Sequence, residues 1–412
     1  MLHLALTTLL ALQSASGSPN VAPAGAAPRS ATSPAAKSEA PSDAPPATPA
    51  RASRATPTPG PRTSPTPAPK AGADMLLVVN KSDSTVSILD AATGKTRATV
   101  PVEAGPHEVE MLSDGKTAAV ASYGSRSEPG HMVTLVDLGS AKVVSRIDIG
   151  AGSRPHGLKA LADGRLLVTA EGTRELVVVD PQAAKVAARI PTGREVSHMV
   201  AASPDGRRAY VTSLAGGSVT VIDLVSGKVV KDIPTGKGAE GIDATPDGRE
   251  IWVANRDANT ITVIDVKTLA PVFTINATEF PIRVKITPDG RRAVATFTGS
   301  GDVGIFDTAT RVEAARISIG RDAVAGTETR VFQKRFGASP APVGLLIAPD
   351  GGRAFVSAAH ADVVAVIDLQ KLRVDDAWSA GHEPDGLAGR FGAKAAEESK
   401  PPGRRVTARR PN

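Results

Sequence analysis

Short apolar runs separated by turn-forming residues recur in a fixed order along most of the chain. In "SPDGRRAYVTS" and "TPDGREIWVAN" an Asp-Gly pair precedes an apolar run, and a second run such as "VTVID" follows and ends in Asp. Alternating Val, Ile and Leu are typical of strands in packed sheets, and Asp-Gly favours a tight hairpin turn. Each unit therefore predicts four strands and no helix. Because every unit has the strand-ending Asp, we expect each Asp to cap its own turn.

Alignment of the units on their Asp-Gly turns places one residue of each unit in a common column at the start of the first strand. The column contains His107, His156, His198, Glu240, Ile282, Val343 and Asp385. Most neighbours in the column are 42 residues apart. A period near this length with four strands per unit is typical of a β-propeller blade.

Incomplete units at the two ends of the repeat region complete each other. The last unit stops after its first strand, whereas the first unit, which begins at Met75, lacks a first strand. We therefore predict an all-β, seven-bladed β-propeller of four-stranded antiparallel blades, closed by N- and C-terminal strands that share one blade. Residues 382–388 are expected to pair with residues 75–79, which leaves no open sheet edge.

The segments "AYVTS" and "IWVAN", with "VTVID" and "SGKVV" downstream, resemble the Tyr-Val-Thr-Asn motif of the YVTN-repeat propellers, the YncE-like group of exported proteins. The resemblance covers residues 74–389 and is specific for the fold. It implies no single activity, because one fold carries many functions. Two insertions, "SRSEPGH" and "RDAVAGTETRVFQKRFGAS", depart from the family pattern.

The segments outside the repeat predict export. Residues 1–17 contain the apolar run "LHLALTTLLAL", too short to span a bilayer, followed by small residues that suit signal-peptide cleavage. Residues 18–73 are rich in Pro, Ala, Ser and Thr and predict a disordered tether, and residues 390–412 predict a disordered basic tail. We expect an extracytoplasmic protein, periplasmic, cell-surface or secreted, without a transmembrane segment in the mature chain.

Composition narrows the range of partners. The net charge of +6 comes from the tether and the tail, since the predicted propeller itself is slightly acidic, and only 3% of residues are aromatic. A nucleic-acid surface needs basic grooves and stacking rings, so no specific nucleic acid partner is expected. Cys is absent.

The spaced glycines of "GKGAEG" and "GSGDVG" lie in predicted inter-strand loops and precede strands, which excludes a dinucleotide fingerprint. We expect a monomer.

The column predicts a site at one mouth of the central channel. First strands are innermost in a propeller, so the three histidines, Glu240 and Asp385 are contiguous around the ring. The predicted ligand-binding residues are His107, His156, His198, Glu240, Asp385, His382, Glu171 and Arg174. Three imidazoles and a carboxylate suit a divalent transition metal such as Zn, Cu or Fe, so the predicted metal ligands are His107, His156, His198 and Glu240. His131 and His360 fall on the same predicted face.

Three functions remain open at this point. The favoured hypothesis is an exported binding or scaffold module whose channel mouth recognises a small molecule, a metal or another exported protein. The second is a lactonase-like hydrolase, because "VASYGS" loosely resembles the Asn-Tyr-Gly segment of lactonase propellers, although Ser122 stands where that Asn would be. The third is a redox or cofactor-handling accessory protein that uses the same face.

Overall fold

The computed structural model describes residues 74–392 except 321, 323–329 and 331. These residues form seven antiparallel sheets of four strands each. The predicted all-β, seven-bladed propeller is therefore confirmed. The predicted export signal, tether and most of the basic tail lie outside the described residues. Within the described residues, no helix is long and apolar enough to cross a bilayer.

Blades are numbered from the one that contains Met75. The strands of blades 1 to 3 are β1 Met75–Asn80, β2 Thr85–Asp90, β3 Thr96–Pro101, β4 Pro106–Met111, β5 Thr117–Gly124, β6 Pro129–Asp137, β7 Lys142–Asp148, β8 Pro155–Ala160, β9 Leu166–Ala170, β10 Glu175–Asp180 and β11 Lys185–Pro191. Those of blades 4 and 5 are β12 Ser197–Ala202, β13 Arg208–Ser213, β14 Ser218–Asp223, β15 Lys228–Pro234, β16 Ala239–Ala244, β17 Glu250–Asn255, β18 Thr260–Asp265 and β19 Ala270–Asn276.

Blades 6 and 7 are separated by the longer insertion, which contains a four-residue helix. Their elements are β20 Pro281–Ile286, β21 Arg292–Phe297, β22 Asp302–Asp307, β23 Glu313–Ser318, α1 Gln333–Phe336, β24 Pro342–Ile347, β25 Arg353–Ala358, β26 Val363–Asp368 and β27 Arg373–Ser379, and the last strand is β28 Pro384–Arg390.

Blade 1 closes the ring with strands from both ends of the repeat region, in the order β28-β1-β2-β3. Met75 pairs with Arg390 and Leu77 pairs with Ala388. The closing strand thus begins two residues later than predicted. The reason is local: the backbone N–H groups of Gly381 and His382 donate to the side chains of Asn80 and Asp83, at 3.0 and 2.7 Å, which holds this stretch as a loop.

Apolar side chains between neighbouring blades hold the ring together. Leu77 of blade 1 packs in one buried cluster with Val109 and Val120 of blade 2, and Trp252 of blade 5 packs with Phe297 of blade 6. Burial of one such side chain stabilises a fold by about 1.5–3 kcal/mol. The capping prediction also holds: Asp223, for example, accepts the backbone N–H of Ser226 at 2.7 Å.

Candidate functional site

The column residue is the second residue of the innermost strand in every blade. In each blade it lies where the pairing of that strand with the next one shifts register. Such β-bulges re-aim a side chain. All seven column residues line one cavity of about 360 Å³. We call this end of the channel the upper mouth.

Three imidazoles lie side by side along one arc of the upper mouth. The ring centroids of His107 and His156 are 4.7 Å apart, and those of His156 and His198 are 4.0 Å apart. His156 is the middle ring and is only 3% exposed. Successive innermost strands in neighbouring blades therefore deliver a continuous row of nitrogen donors.

Carboxylates orient the two outer imidazoles of this row. His107 Nδ1 lies 2.9 Å from Asp385 Oδ2, and His198 Nδ1 makes a short hydrogen bond with Glu171 Oε1. A metal-ligating histidine almost always has its other ring nitrogen held by a carboxylate, a carbonyl or water in this way. Each carboxylate thus fixes the orientation of one outer ring.

The middle imidazole has an unsatisfied nitrogen. His156 Nδ1 is buried and has no hydrogen-bond partner among the residues that the structure describes. His198 Nε2 is also without a hydrogen bond there, although Glu240 Oε1 lies 3.3 Å away. Ligand atoms of His156, Glu171 and His198 all lie within 4.8 Å of one another. Two imidazoles and one carboxylate are the protein ligands of a common type of zinc site.

Glu240 is bound by two arginines at the floor of the cavity. Arg256 Nη1 donates to Glu240 Oε2 at 2.7 Å, and Arg283 Nη1 donates to Glu240 Oε1 at 3.4 Å. Arg283 also crosses the channel to make a short hydrogen bond with Glu108 Oε1. Burial by itself would raise the pKa of Glu240, but the Arg256 guanidinium, then His198 and Arg283, outweigh it and lower the pKa to about 2.

The three imidazoles differ in their proton affinity. Burial, together with the neighbouring His198 and His107, lowers the pKa of His156 well below 6.5. Burial and the nearby Lys81 likewise lower the pKa of His107, against the opposing effect of Asp385. For His198 burial acts in the same direction, but the Glu171 carboxylate and then Glu240 outweigh it and raise the pKa to about 9. Near neutral pH, His107 and His156 are therefore uncharged and able to donate a lone pair to a ligand.

Sequence reasoning missed Tyr123 as a site residue. Its hydroxyl donates to Glu171 Oε2 at 2.6 Å, and its ring packs edge-on against His107 and His156 with centroid distances of 4.9 and 5.7 Å. The guanidinium of Arg154 lies 4.9 Å above the same ring. Tyr123 therefore fixes the carboxylate that orients His198. Its place two residues before the "SRSEPGH" insertion is the signal that could have found it.

Glu108 and Arg283 were also missed, although the repeat contains a signal for them. They follow the column by one residue, where four other units have glycine, namely Gly157, Gly241, Gly344 and Gly386. A Cβ at these glycines would collide with the backbone of the next blade. A large charged side chain at this position is therefore exceptional in the repeat.

Several predicted residues lie away from the cavity. Arg174 is exposed and pairs with Glu195 at 3.0 Å, and His382 pairs with Asp83 at 2.7 Å in an exposed loop. Neither residue lines the upper mouth. His131 pairs with Asp148 at 3.0 Å on an exposed strand.

The side of the cavity opposite the imidazoles is apolar. The column residues Ile282 and Val343 lie there, joined by Phe332 from the longer insertion. Phe332 packs against Phe280, with ring centroids 5.1 Å apart. The guanidinium of Arg256 lies 5.5 and 5.4 Å from these two rings. One half of the upper mouth is therefore lined by imidazole and carboxylate groups that can bind a metal, and the other half is lined by apolar side chains.

Comparison with known proteins gives one family match. The model of the cytochrome D1 heme domain family matches residues 162–284, less than a third of the chain. The matched segment contains Glu171, His198 and Glu240 but neither His107 nor His156. No curated protein matches the chain.

Three solved structures share the fold. Hydrazine synthase of Kuenenia stuttgartiensis is 22% identical, with a TM-score of 0.55 over 65% of this chain and 77% of that one. A functionally unknown protein from Desulfotomaculum acetoxidans is 15% identical, with a TM-score of 0.64 over 77% and 99%. Dihydro-heme d1 dehydrogenase NirN, in complex with DHE, is 20% identical, with a TM-score of 0.56 over 82% and 80%. The chain is thus a seven-bladed β-propeller with a segment similar to the cytochrome D1 heme domain.

Proposed function

We propose that this protein is a redox accessory propeller that binds a transition-metal centre at its upper mouth. The observation that carries the proposal is the imidazole row: His156, with an unsatisfied buried nitrogen, lies between two imidazoles that carboxylates orient. A buried polar atom without a partner costs about 1–3 kcal/mol, so its presence calls for a ligand. The lowered pKa of His156 keeps it neutral and able to donate a lone pair to a metal.

Each residue of the upper mouth has a role in this proposal. His156, His198 and Glu171 bind the metal, and Tyr123 fixes the Glu171 carboxylate through its hydroxyl. Asp385 orients His107 at the edge of the row. Since the pKa of His198 is raised to about 9, a metal bound to this imidazole would take the place of a proton near neutral pH.

Two kinds of transition-metal centre are considered for this site, a metal ion bound by side chains and the iron of a heme. Imidazole is an axial ligand of heme iron, and the apolar half formed by Ile282, Val343 and Phe332 suits the face of a macrocycle. The cavity of about 360 Å³ falls within the roughly 300–1,000 Å³ of small-molecule pockets. The donor set therefore fits both sources, and the match to the cytochrome D1 heme domain supports the heme. When bound, a copper or iron ion or a heme would supply one-electron redox chemistry, whereas a zinc ion would not.

The remaining features of the proposal rest on the sequence. They are a YVTN-type propeller at residues 74–389, an export signal at 1–17, a tether at 18–73, a basic tail at 390–412, a monomeric state and an extracytoplasmic location. A redox partner would be another exported protein or a small molecule at the upper mouth.

The test is metal and heme analysis of protein purified without a His tag. We expect near-stoichiometric metal, with a Soret band if the source is heme and none if it is an ion. His156→Ala should lose the centre, whereas His131→Ala, an exposed histidine paired with Asp148, should retain it. Wild-type protein that takes up neither cobalt ions nor hemin when each is supplied in excess would refute the proposal.

A further inference from the structure

We propose that a metal ion held by His156, Glu171 and His198 keeps one open coordination position, which takes a small anionic donor molecule from the cavity. This inference rests on the proposed function and deepens it by naming a ligand class for the same site. Metal sites with three protein ligands and an open fourth position bind exchangeable ligands, whereas sites with four protein ligands are closed.

Glu240 is near enough to close the site but is withheld from it. Its Oε1 atom lies 3.3 Å from His198 Nε2, so a modest movement would bring it to the same metal. Both of its oxygens are instead occupied, one by Arg256 at 2.7 Å and the other by Arg283 at 3.4 Å. All three side chains are largely buried, and separating such a pair leaves charge without compensation. Both oxygens of Glu171 also have partners, but these are the His198 imidazole and the Tyr123 hydroxyl. Glu240 is instead held by two permanently charged guanidiniums, which keep it away from the coordination sphere.

Arg256 is itself held in place by the longer insertion. Its guanidinium lies 5.5 and 5.4 Å from the ring centroids of Phe280 and Phe332, which contact each other, and nearby Arg335 pairs with Asp257 at 3.2 Å. Arg335 also lies 4.2 Å over the Phe280 ring. Phe332 of the insertion thus supports the arginine that withholds Glu240.

Two other nearby acids are also bound by protein side chains, and the described residues of the facing wall are apolar. Asp385 is bound to His107, and Glu108 is bound to Arg283. Across the cavity, Ile282 and Val343 offer only hydrocarbon. Among the described residues, the group whose ligand atoms lie within 4.8 Å of one another is limited to His156, Glu171 and His198. His107 lies outside this group, and its Nδ1 atom is held by Asp385. We therefore assign the fourth position to a ligand from outside the protein.

Charge and space define the class of that ligand. A divalent ion held by one carboxylate and two neutral imidazoles would keep a net positive charge and favour an anion, while the apolar wall favours a compact molecule with little polar surface beyond its donor end. Small anions that coordinate metals through nitrogen or oxygen fit this description. Azide is the simplest probe of the class.

The experiment uses the full chain loaded with cobalt ions, whose visible absorption reports the coordination sphere. We expect azide to change the spectrum of the wild type in a saturable manner. Arg256→Leu should free Glu240 to become the fourth ligand, which changes the cobalt spectrum and weakens azide binding at least tenfold. The double variant Arg256→Leu with Glu240→Gln should recover the azide response. Arg194→Leu, an exposed arginine paired with Asp232, is the matched control and should respond as the wild type does.

The outcomes separate the two proposals. A wild type that binds no cobalt would refute the metal-ion form of the proposed function and this inference with it. A wild type that binds cobalt but ignores azide would overturn the inference alone. Undiminished azide binding by folded Arg256→Leu would overturn the role of Glu240. If Arg256→Leu does not fold, Arg256→Gln, which keeps a hydrogen-bond donor, replaces it. We expect this variant to show the same changes in cobalt spectrum and azide binding to a smaller extent.

Discussion

The two mouths of the channel contain charged residues in the same strands but differ in how those residues are satisfied. At the lower mouth, three positions after the column, Lys159 Nζ lies 3.2 Å from Glu110 Oε1 and Lys285 Nζ lies 3.9 Å from Asp243 Oδ1. The cavity there measures only about 50 Å³. The lower mouth pairs each acid with a base and leaves little space, whereas the upper mouth combines unsatisfied nitrogens with a cavity of about 360 Å³.

This difference teaches that charge at a channel mouth does not by itself indicate a site. Ion pairs between neighbouring blades at the lower mouth serve the packing of the ring, and exposed pairs of this kind contribute at most about 1 kcal/mol. At the upper mouth the buried His156 Nδ1 has no hydrogen-bond partner among the residues that the structure describes. Unsatisfied donors facing a space are the feature that distinguishes a candidate site.

The largest effect is expected where Arg283 spans the channel. Arg283→Leu leaves the buried Glu108 without its charge partner and Glu240 with Arg256 alone of its two arginines, and should lower the free energy of unfolding by about 3–5 kcal/mol. The matched change at the lower mouth, Lys285→Leu, should cost less than about 1 kcal/mol because that pair is partly exposed. Urea unfolding monitored by circular dichroism measures both. Equal losses would contradict the distinction between the two mouths.

The second effect is a pH dependence of the stability of the fold, which we expect from the upper mouth and not from the lower mouth. The pKa of His198 is raised from 6.5 to about 9 in the folded protein, so the protonated form stabilises the fold. This contribution, on the order of 3 kcal/mol, is present below pH 6.5 and is lost as the pH rises through 9. His107 and His156 have lowered pKa values and are neutral in both states over most of this range.

The measurement is the stability difference between metal-free wild type and His198→Gln as a function of pH. It should shrink between pH 6.5 and pH 9.5. A Lys159→Gln variant at the lower mouth serves as the control, and its stability difference should stay constant over the same range. A difference for His198→Gln that does not vary with pH would show that the imidazole is not charged between Glu171 and Glu240.

A third, opposite effect is expected at the centre of the imidazole row. His156→Leu removes a buried nitrogen without a partner, so the metal-free variant should be more stable than the wild type by up to about 1–3 kcal/mol while losing metal. Lys159→Leu at the lower mouth should instead be slightly destabilising because Glu110 loses its partner. Thermal unfolding of both proteins after chelator treatment gives the comparison. A destabilised His156→Leu variant would mean that the imidazole serves packing.

The smallest effect is expected from removing the Tyr123 hydroxyl, which holds the Glu171 carboxylate. Tyr123→Phe deletes the hydroxyl that donates to Glu171 at 2.6 Å and should cost about 1 kcal/mol of stability. Metal affinity should fall by roughly 10-fold or somewhat more, as is usual when a group that orients a ligand is lost. Titration of cobalt into the variant measures the affinity. Unchanged affinity would remove Tyr123 from the site.

The sequence by itself determined the architecture and the position of the column. A period near 42 residues repeats the same local instructions, so turns, strands and the second residue of each innermost strand recur without long-range information. This is why the seven blades, the closing blade and the row formed by His107, His156 and His198 could be predicted. The closing strand was displaced by two residues because side chains of Asn80 and Asp83 bind the loop before it.

Only the tertiary structure decided which side chains meet inside the ring. It brings Glu171 to His156 and His198, and it binds Glu240 to Arg256 and Arg283. Glu108 and Arg283 are 175 residues apart in the chain and meet across the channel. Phe332 reaches the cavity from an insertion outside the repeat. A repeat determines the backbone position of each side chain. The partner of that side chain depends on its rotamer and on the residues across the channel, which local periodicity does not encode.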